Sequence, residues 1–262
     1  MSARPEPSAP TIALEHLEEL SRSAGEGKSL LAMRRQAREA LSPLELPDRA
    51  QHLWRYTAPT RFVPAVDPTA IAPAAVAPAW RLDEQLAAAA LVAGGALRLV
   101  QVEDAARRAG VVVEDLHRAD AGGRLGALVP AGHGFAEAIN AAAWRGGVLI
   151  RVPAGVTLEH PIRIRIVAGA ASLPRIVVIA GEGSSFEVVE GHVGGETDPA
   201  LTLGVSEIFV GAGADVRSGL VQRWDPGVTV QLPTRAVVGA GARFQMSLAS
   251  FGGAVFKADV GA

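Results

Sequence analysis

Three groups of residues have types and spacing that could do chemistry. Gly25-Glu-Gly27-Lys28-Ser29 resembles the end of a phosphate-binding loop, in which backbone N–H groups, a lysine and a hydroxyl cradle a nucleotide. That motif needs a glycine five positions before its second one, where this chain has Arg22. It also needs a preceding strand, whereas Glu15 to Arg22 reads as helix, so a loop between two helices is expected. Glu190 and His192 share one face of any strand that holds them, as an acid–base pair or the start of a metal site would. Without further ligands in register they read as a solvated surface pair, and Glu159-His160 before Pro161 reads as a polar turn.

The other polar residues form no constellation. The six histidines, at 16, 52, 117, 133, 160 and 192, show neither His-x-His nor His-Glu-x-x-His spacing. No serine stands in a Gly-x-Ser-x-Gly elbow, and Asp215 and Asp225 are isolated carboxylates rather than a glycosidase pair. No catalytic, cofactor-binding or metal-ligating residue is assigned on these patterns. The chain has no cysteine, which excludes disulfides, thiolate nucleophiles and thiolate-held zinc or iron–sulfur sites made by its own residues.

The elements that would position any site come next. The chain has 262 residues, 49 % of them apolar but only 5 % aromatic, so an aliphatic core is expected. A net charge of −2 with no block of like charge argues against a nucleic-acid partner. Met1 to Pro10 lacks the apolar run of a signal peptide, and Leu86 to Val92 is too short to cross a bilayer. No membrane partner and a cytoplasmic location are therefore expected.

Helices are predicted over Ile12–Arg22, capped by Thr11, and over Ser29–Leu41. The second places Leu30, Met33, Ala37 and Leu41 on a stripe, with Arg34, Arg35 and Arg38 outside it. Prolines 59, 64, 68, 73 and 78 mark an extended strap. Ala90–Ala93 and Ala96–Gln101 flank Gly94-Gly95 as a hairpin, and short helices follow over Glu103–Ala109 and Phe135–Trp144. The organisation is thus N-terminal helices over 1–58, a Pro/Ala-rich strap over 59–80, a small α+β region over 81–146 and β structure over 147–262.

The β region repeats itself. Strand residues precede Gly181-Glu-Gly183-Ser-Ser-Phe186, Gly211-Ala-Gly213-Ala-Asp-Val216 and Gly239-Ala-Gly241-Ala-Arg-Phe244, with first glycines 30 and 28 residues apart. A strand, a Gly-x-Gly corner and another strand at near-constant spacing describe a solenoid whose coils bury one another. Ile162, Ile164, Ile166, Val177, Ile179, Phe186, Ile208, Val210, Val216, Val237 and Phe244 are expected inside, with Arg163 and Arg165 outside. Phe186, Val216 and Phe244 should stack one above another.

These segments resemble a family, the SufB/SufD proteins of iron–sulfur cluster assembly, on the SufD side. Leu53-Trp54-Arg55-Tyr56-Thr57 is similar to its Trp-[Arg/Lys]-Tyr-Thr element, and Leu158-Glu159-His160-Pro161-Ile162 to its Leu-Glu-x-Pro-Ile. Phe135-Ala-Glu-Ala-Ile139-Asn140 through Gly146-Gly147-Val148 to Val152-Pro153-Ala-Gly155-Val156 is similar to the family's helix and lead-in to its core. Pro233-Thr234-Arg235-Ala236-Val237 and Ser250-Phe251-Gly252-Gly253 resemble later coils.

The resemblance implies a mainly β fold, a right-handed parallel β-helix after a small helical and mixed α+β N-terminal region. It implies a non-catalytic scaffold that partners SufB-like and SufC-like proteins. The iron–sulfur cluster would be handled by the complex and ATP bound by the partner ATPase, with no cofactor on this chain alone. Relative to the family the chain reads as truncated at Asp259-Val260-Gly261-Ala262, before the coils and helices that carry the family's functional positions, so none is carried over. An uncovered last coil would allow self-association through that end. Two other classes stay open, a β-helix carbohydrate-active enzyme and a structural β-solenoid.

Overall fold

Strict alternation in Ile162-Arg-Ile-Arg-Ile166 can satisfy only a strand with one face buried, and the computed structural model shows that strand at the centre of a stacked sheet. The described residues are 11–48, 50–70, 85–169, 171–194 and 200–262. The helices are α1 (Leu14–Ala24), α2 (Lys28–Leu41), α3 (Asp104–Arg108) and α4 (Phe135–Ala143). The strands are β1 (Ala88–Ala93), β2 (Ala96–Val102), β3 (Val112–Asp115), β4 (Val148–Val152), β5 (Ile162–Ala168), β6 (Ala171–Ser172) and β7 (Arg175–Ala180). They continue as β8 (Ser185–Gly194), β9 (Ala200–Leu203), β10 (Val205–Val210), β11 (Asp215–Trp224), β12 (Val228–Val238), β13 (Arg243–Gly252) and β14 (Val255–Gly261). The protein is mainly β, a solenoid of about four turns behind a small helical region.

Two parallel stacks make the coils. One sheet runs β13-β11-β8-β5-β1-β2, the other β3-β4-β7-β10-β12-β9-β6 with β14 also on β12. Register repeats from coil to coil: Ile150, Val178, Ile208 and Ala236 align in one inward column. Phe186, Val216 and Phe244 align in another, as the repeat requires. Hairpin β1–β2 extends the first sheet, because β1 pairs parallel with β5 from Ala88↔Ile162 to Ala93↔Val167. That strand is buried along its whole length, which suits its run of alanines.

The two glycines of each corner act for different reasons. Gly183, Gly213 and Gly241 turn the chain at φ 63°, 65° and 67°, a region costly for residues with a Cβ. The first glycines allow close approach instead: a Cβ on Gly181 would lie 2.3 Å from the Ala154 backbone nitrogen of the preceding coil. Backbone bonds such as Gly211 N–H to the Ala180 carbonyl (2.9 Å) and Gly239 N–H to the Val210 carbonyl (2.8 Å) then tie corner to corner.

Most of the expected core set is buried, but Val237 is not, and Val177 and Ile179 are buried on the other side of their sheet from the one expected. Ile162, Ile164, Ile166, Phe186, Ile208, Val210 and Val216 are buried, Phe244 is half-buried on the last coil, and Arg163 and Arg165 face outward. Val237 is 47 % exposed, contrary to expectation, because Ala236 is the inward residue of that stretch. Val177 and Ile179 are buried but on the outer side of their sheet, packed with Leu116, Ala121, Trp144 and Leu149. Residues before the solenoid wrap that outer face and leave Val237 uncovered.

The helical region brings further corrections. Thr11 does not cap α1; its first turn is held by Asp67, whose Oδ2 accepts from the Ala13 N–H at 2.8 Å. In α2 the buried face is Arg34, Ala37 and Leu41, with Met33 exposed, so the stripe is rotated from the one read from apolar spacing. The start of the expected strap is a short 3-10 turn, Pro59–Phe62, whose phenyl ring is buried against α4's cluster. The strap beyond residue 70 and Met1–Pro10 lie outside the described residues.

Candidate functional site

Several polar groups are buried inside the solenoid and under its helical cover. Inside, β8 turns Phe186, Val188, Glu190 and His192 to one face, two residues apart. The ladder sets His192 between Ile166 and Gln222, and Glu190 between Ile164 and Leu220. Glu190 and His192 are therefore not a solvated pair, since the His192 side chain is 1 % exposed and Glu190 15 %. Inward phase along β8 decides this, because surface residues would need the opposite register.

The geometry gathers a small network. His192 Nε2 lies 2.9 Å from Glu190 Oε1, and the Ser206 hydroxyl donates to both Glu190 oxygens at 3.1 and 3.0 Å. The Trp224 indole N–H donates to Gln222 Oε1, and its ring lies 5.7 Å from the His192 ring. Among the described residues, two enclosed polar atoms of this network, His192 Nδ1 and Gln222 Nε2, have no partner. A carboxylate, an imidazole and a hydroxyl are thus held together away from bulk solvent, an arrangement able to order a polar group. The order Ser206–Glu190–His192 puts the carboxylate in the middle, so the imidazole does not contact the hydroxyl as a general base would.

A second network fastens the cover. Arg175 sits at the start of β7 and Glu207 in the middle of β10, both enclosed, with Nη2 to Oε2 at 2.8 Å. Glu207 also accepts from the N–H groups of Gly126, Leu128 and Val129 at 2.9, 2.9 and 3.1 Å, and Arg175 Nη1 donates to Asn140 Oδ1 at 3.0 Å. Asn140 in turn donates to the carbonyls of Pro174 and Leu203 at 3.1 and 2.8 Å, joining α4 to two coils.

The third network uses the segment that resembled a phosphate loop. Gly25 ends α1 in the left-handed region and Gly27 precedes α2, so the segment is a joint between two helices. Glu26 turns inward and takes Arg34 on both oxygens, with the closest contact, Nη2 to Oε1, at 2.6 Å. The His117 ring, stacked on Trp144 at 4.2 Å, meets Glu26 Oε1 through Nδ1 at 2.6 Å. Burial alone would raise the Glu26 pKa, yet hydrogen bonds from His117, Arg34 and Ser21, with the Arg34 charge, hold it at about 2.

The remaining tempting residues stay apart. His16 lies 3.1 Å from Asp67, while His52, Glu159 and Asp225 are exposed at unrelated places. Asp215 begins β11 on the outer face. The sequence reading passed over Glu26, Arg34, Arg175 and Glu207, although a glutamate in the middle of Val205-Ser-Glu-Ile-Phe-Val210 was a legible sign of a paired buried charge.

Comparison with known proteins bears on the same stretch. Residues 164–261 match the family described as SUF system FeS cluster assembly, SufBD core domain. An iron–sulfur cluster assembly SufBD family protein of Staphylococcus haemolyticus is 35 % identical over 101 residues, which are 37 % of this chain and 22 % of that protein. A protein of the same description from Staphylococcus aureus is 34 % identical over the same length, again 37 % and 22 % of the two chains. The aligned stretch thus spans about a fifth of the curated relatives it matches. The stretch matched by the family model, residues 164–261, falls on the stacked coils, so the likeness to the SufBD core domain is a likeness of this part of the chain.

Proposed function

We propose that this chain is a SufD-like, non-catalytic scaffold of iron–sulfur cluster assembly that works in the cytoplasm with SufB-like and SufC-like partners. The observation that carries this reading is the match of residues 164–261 to the SufBD core domain, on the coils that the internal repeat marks. The chemistry is consistent with a supporting part. Without cysteine the chain has no thiolate for an iron–sulfur cluster, so in the complex a cluster would be cargo with ligands from the partner. The phosphate-loop look-alike is a helix joint whose glutamate is occupied by Arg34, which is consistent with ATP being bound by a SufC-like partner.

Co-expression tests this directly. The full chain, tagged and expressed with SufB-like and SufC-like proteins from the same genome, should retain both through size-exclusion chromatography. Elution of the chain alone, with the other two forming their complex without it, would overturn the scaffold role.

A further inference from the structure

Where the N-terminal segment crosses the solenoid, a cavity of about 250 Å³ opens between four parts of the chain. Trp54, Phe62 and Phe135 supply aromatic wall, and Glu137, Gln231 and Lys257 bring polar groups to it. Trp54 and Phe62 meet edge to face at 5.4 Å, so the wall is a fixed corner rather than a loose side chain.

The cavity already displays what it can hold. The Lys257 ammonium sits 4.2 Å from the centre of the Trp54 ring, the arrangement by which an aromatic face attracts a cation. The carboxylates of Asp259 and Glu137 act on the same ammonium and oppose the lowering of its pKa by burial. Asp259 is otherwise engaged, by Arg235 Nη2 at 2.6 Å. Glu137 is buried, and its partner is the neutral amide of Gln231, whose Nε2 donates to Oε1 at 3.2 Å. A carboxylate can only accept, so this contact fixes the amide orientation and leaves Gln231 Oε1 without a donor. An aromatic face and a buried carboxylate both favour a group with positive charge.

We propose that this cavity is a binding site for an alkyl-ammonium group on a short apolar body, and that Lys257, which lines it with its ammonium over the Trp54 ring, competes with such a ligand for that aromatic face. The ligand is a small organic amine or the lysine side chain of a partner; the chemistry is shared. Lys257 is a competitor in this scheme, whereas Trp54 and Glu137 are contacts. The two kinds of substitution therefore act in opposite directions, which a purely structural role for all three does not produce.

The test titrates the full chain with n-butylammonium chloride and, separately, with the peptide acetyl-Gly-Lys-Gly-amide. The indole N–H resonance of Trp54, assigned with Trp54→Leu, reports occupancy. Saturable shifts are expected, tightened about three- to tenfold in Lys257→Met and weakened at least tenfold in Glu137→Gln. Saturation by butylammonium alone identifies a small amine, and tighter binding of the peptide identifies a partner's lysine; both support the site. Should Lys257→Met not fold, Lys257→Gln serves the same purpose, because it too removes the charge from a half-exposed position. No saturable shift with either probe once the charge is removed, or weaker binding in that variant, would overturn the proposal.

Discussion

At the residue scale, stability is tied to a few enclosed charges. Glu26 is fully enclosed and carries a pKa near 2 against 4.5 when free, so folding favours its ionised form. Its contribution is complete above about pH 4.5 and is lost as pH falls toward about 2, on the order of 3 kcal/mol in all. Denaturant unfolding followed from about pH 6 to about pH 2.5 should show this loss. Glu26→Gln should be less stable at neutral pH and flatter over that window. Identical pH slopes in the two proteins would mean that Arg34 and His117 do not depend on the carboxylate. The Arg175–Glu207 pair belongs to the same class, and breaking one such buried pair typically costs about 3–5 kcal/mol because its partner is left charged and dry.

At the element scale, position along the stack decides what a side chain contributes. Phe186 lies in an interior coil and Phe244 in the last one, although they occupy equivalent positions of the repeat. Phe186→Ala should cost about 3–5 kcal/mol, whereas Phe244→Ala, from a half-buried ring, should cost about 1–2 kcal/mol. Equal losses in thermal or denaturant unfolding would show that the last coil is as well covered as the others.

The same gradient governs hydrogen bonding. The exposed faces of β13 and β14 include Leu248, Phe251 and Val260, and β13 lies at the edge of its sheet. Amides of Arg243–Gly261 should exchange with solvent well before those of β7 in a demonstrated monomer. Matching protection in both would contradict an open edge.

At the scale of the whole molecule, the solenoid and its helical cover are tied together, and the chain carries no cysteine. Reconstituting the isolated chain with ferrous iron and sulfide under reducing conditions should leave it colourless after desalting, because no thiolate is available. A stable cluster spectrum at one per chain would require ligands of another kind and would change the reading of its role. The helices are not an independent appendage: Asn140 and Glu207 bind backbone groups of segments distant in sequence. Weakening those anchors should therefore loosen the helical cover and the coils together.

Read by itself, the amino-acid sequence determined the coil: alternation sets which side of a strand is inward, and paired glycines recur where the chain must turn and neighbouring backbones must touch. These are local constraints of period two and of missing Cβ atoms, so they survive without knowledge of neighbours. Hairpin β1–β2, α3 and α4 were legible for the same reason. The tertiary structure alone decided that Glu190 and His192 face the interior, that Arg34 rather than Met33 is buried, and that Val177 is covered while Val237 is not. Whether an outer face is dry depends on which distant segment lies across it. Whether a charge is tolerated inside depends on a partner that can come from any part of the chain, as Glu26 and Arg34 find His117 and the Trp144 carbonyl.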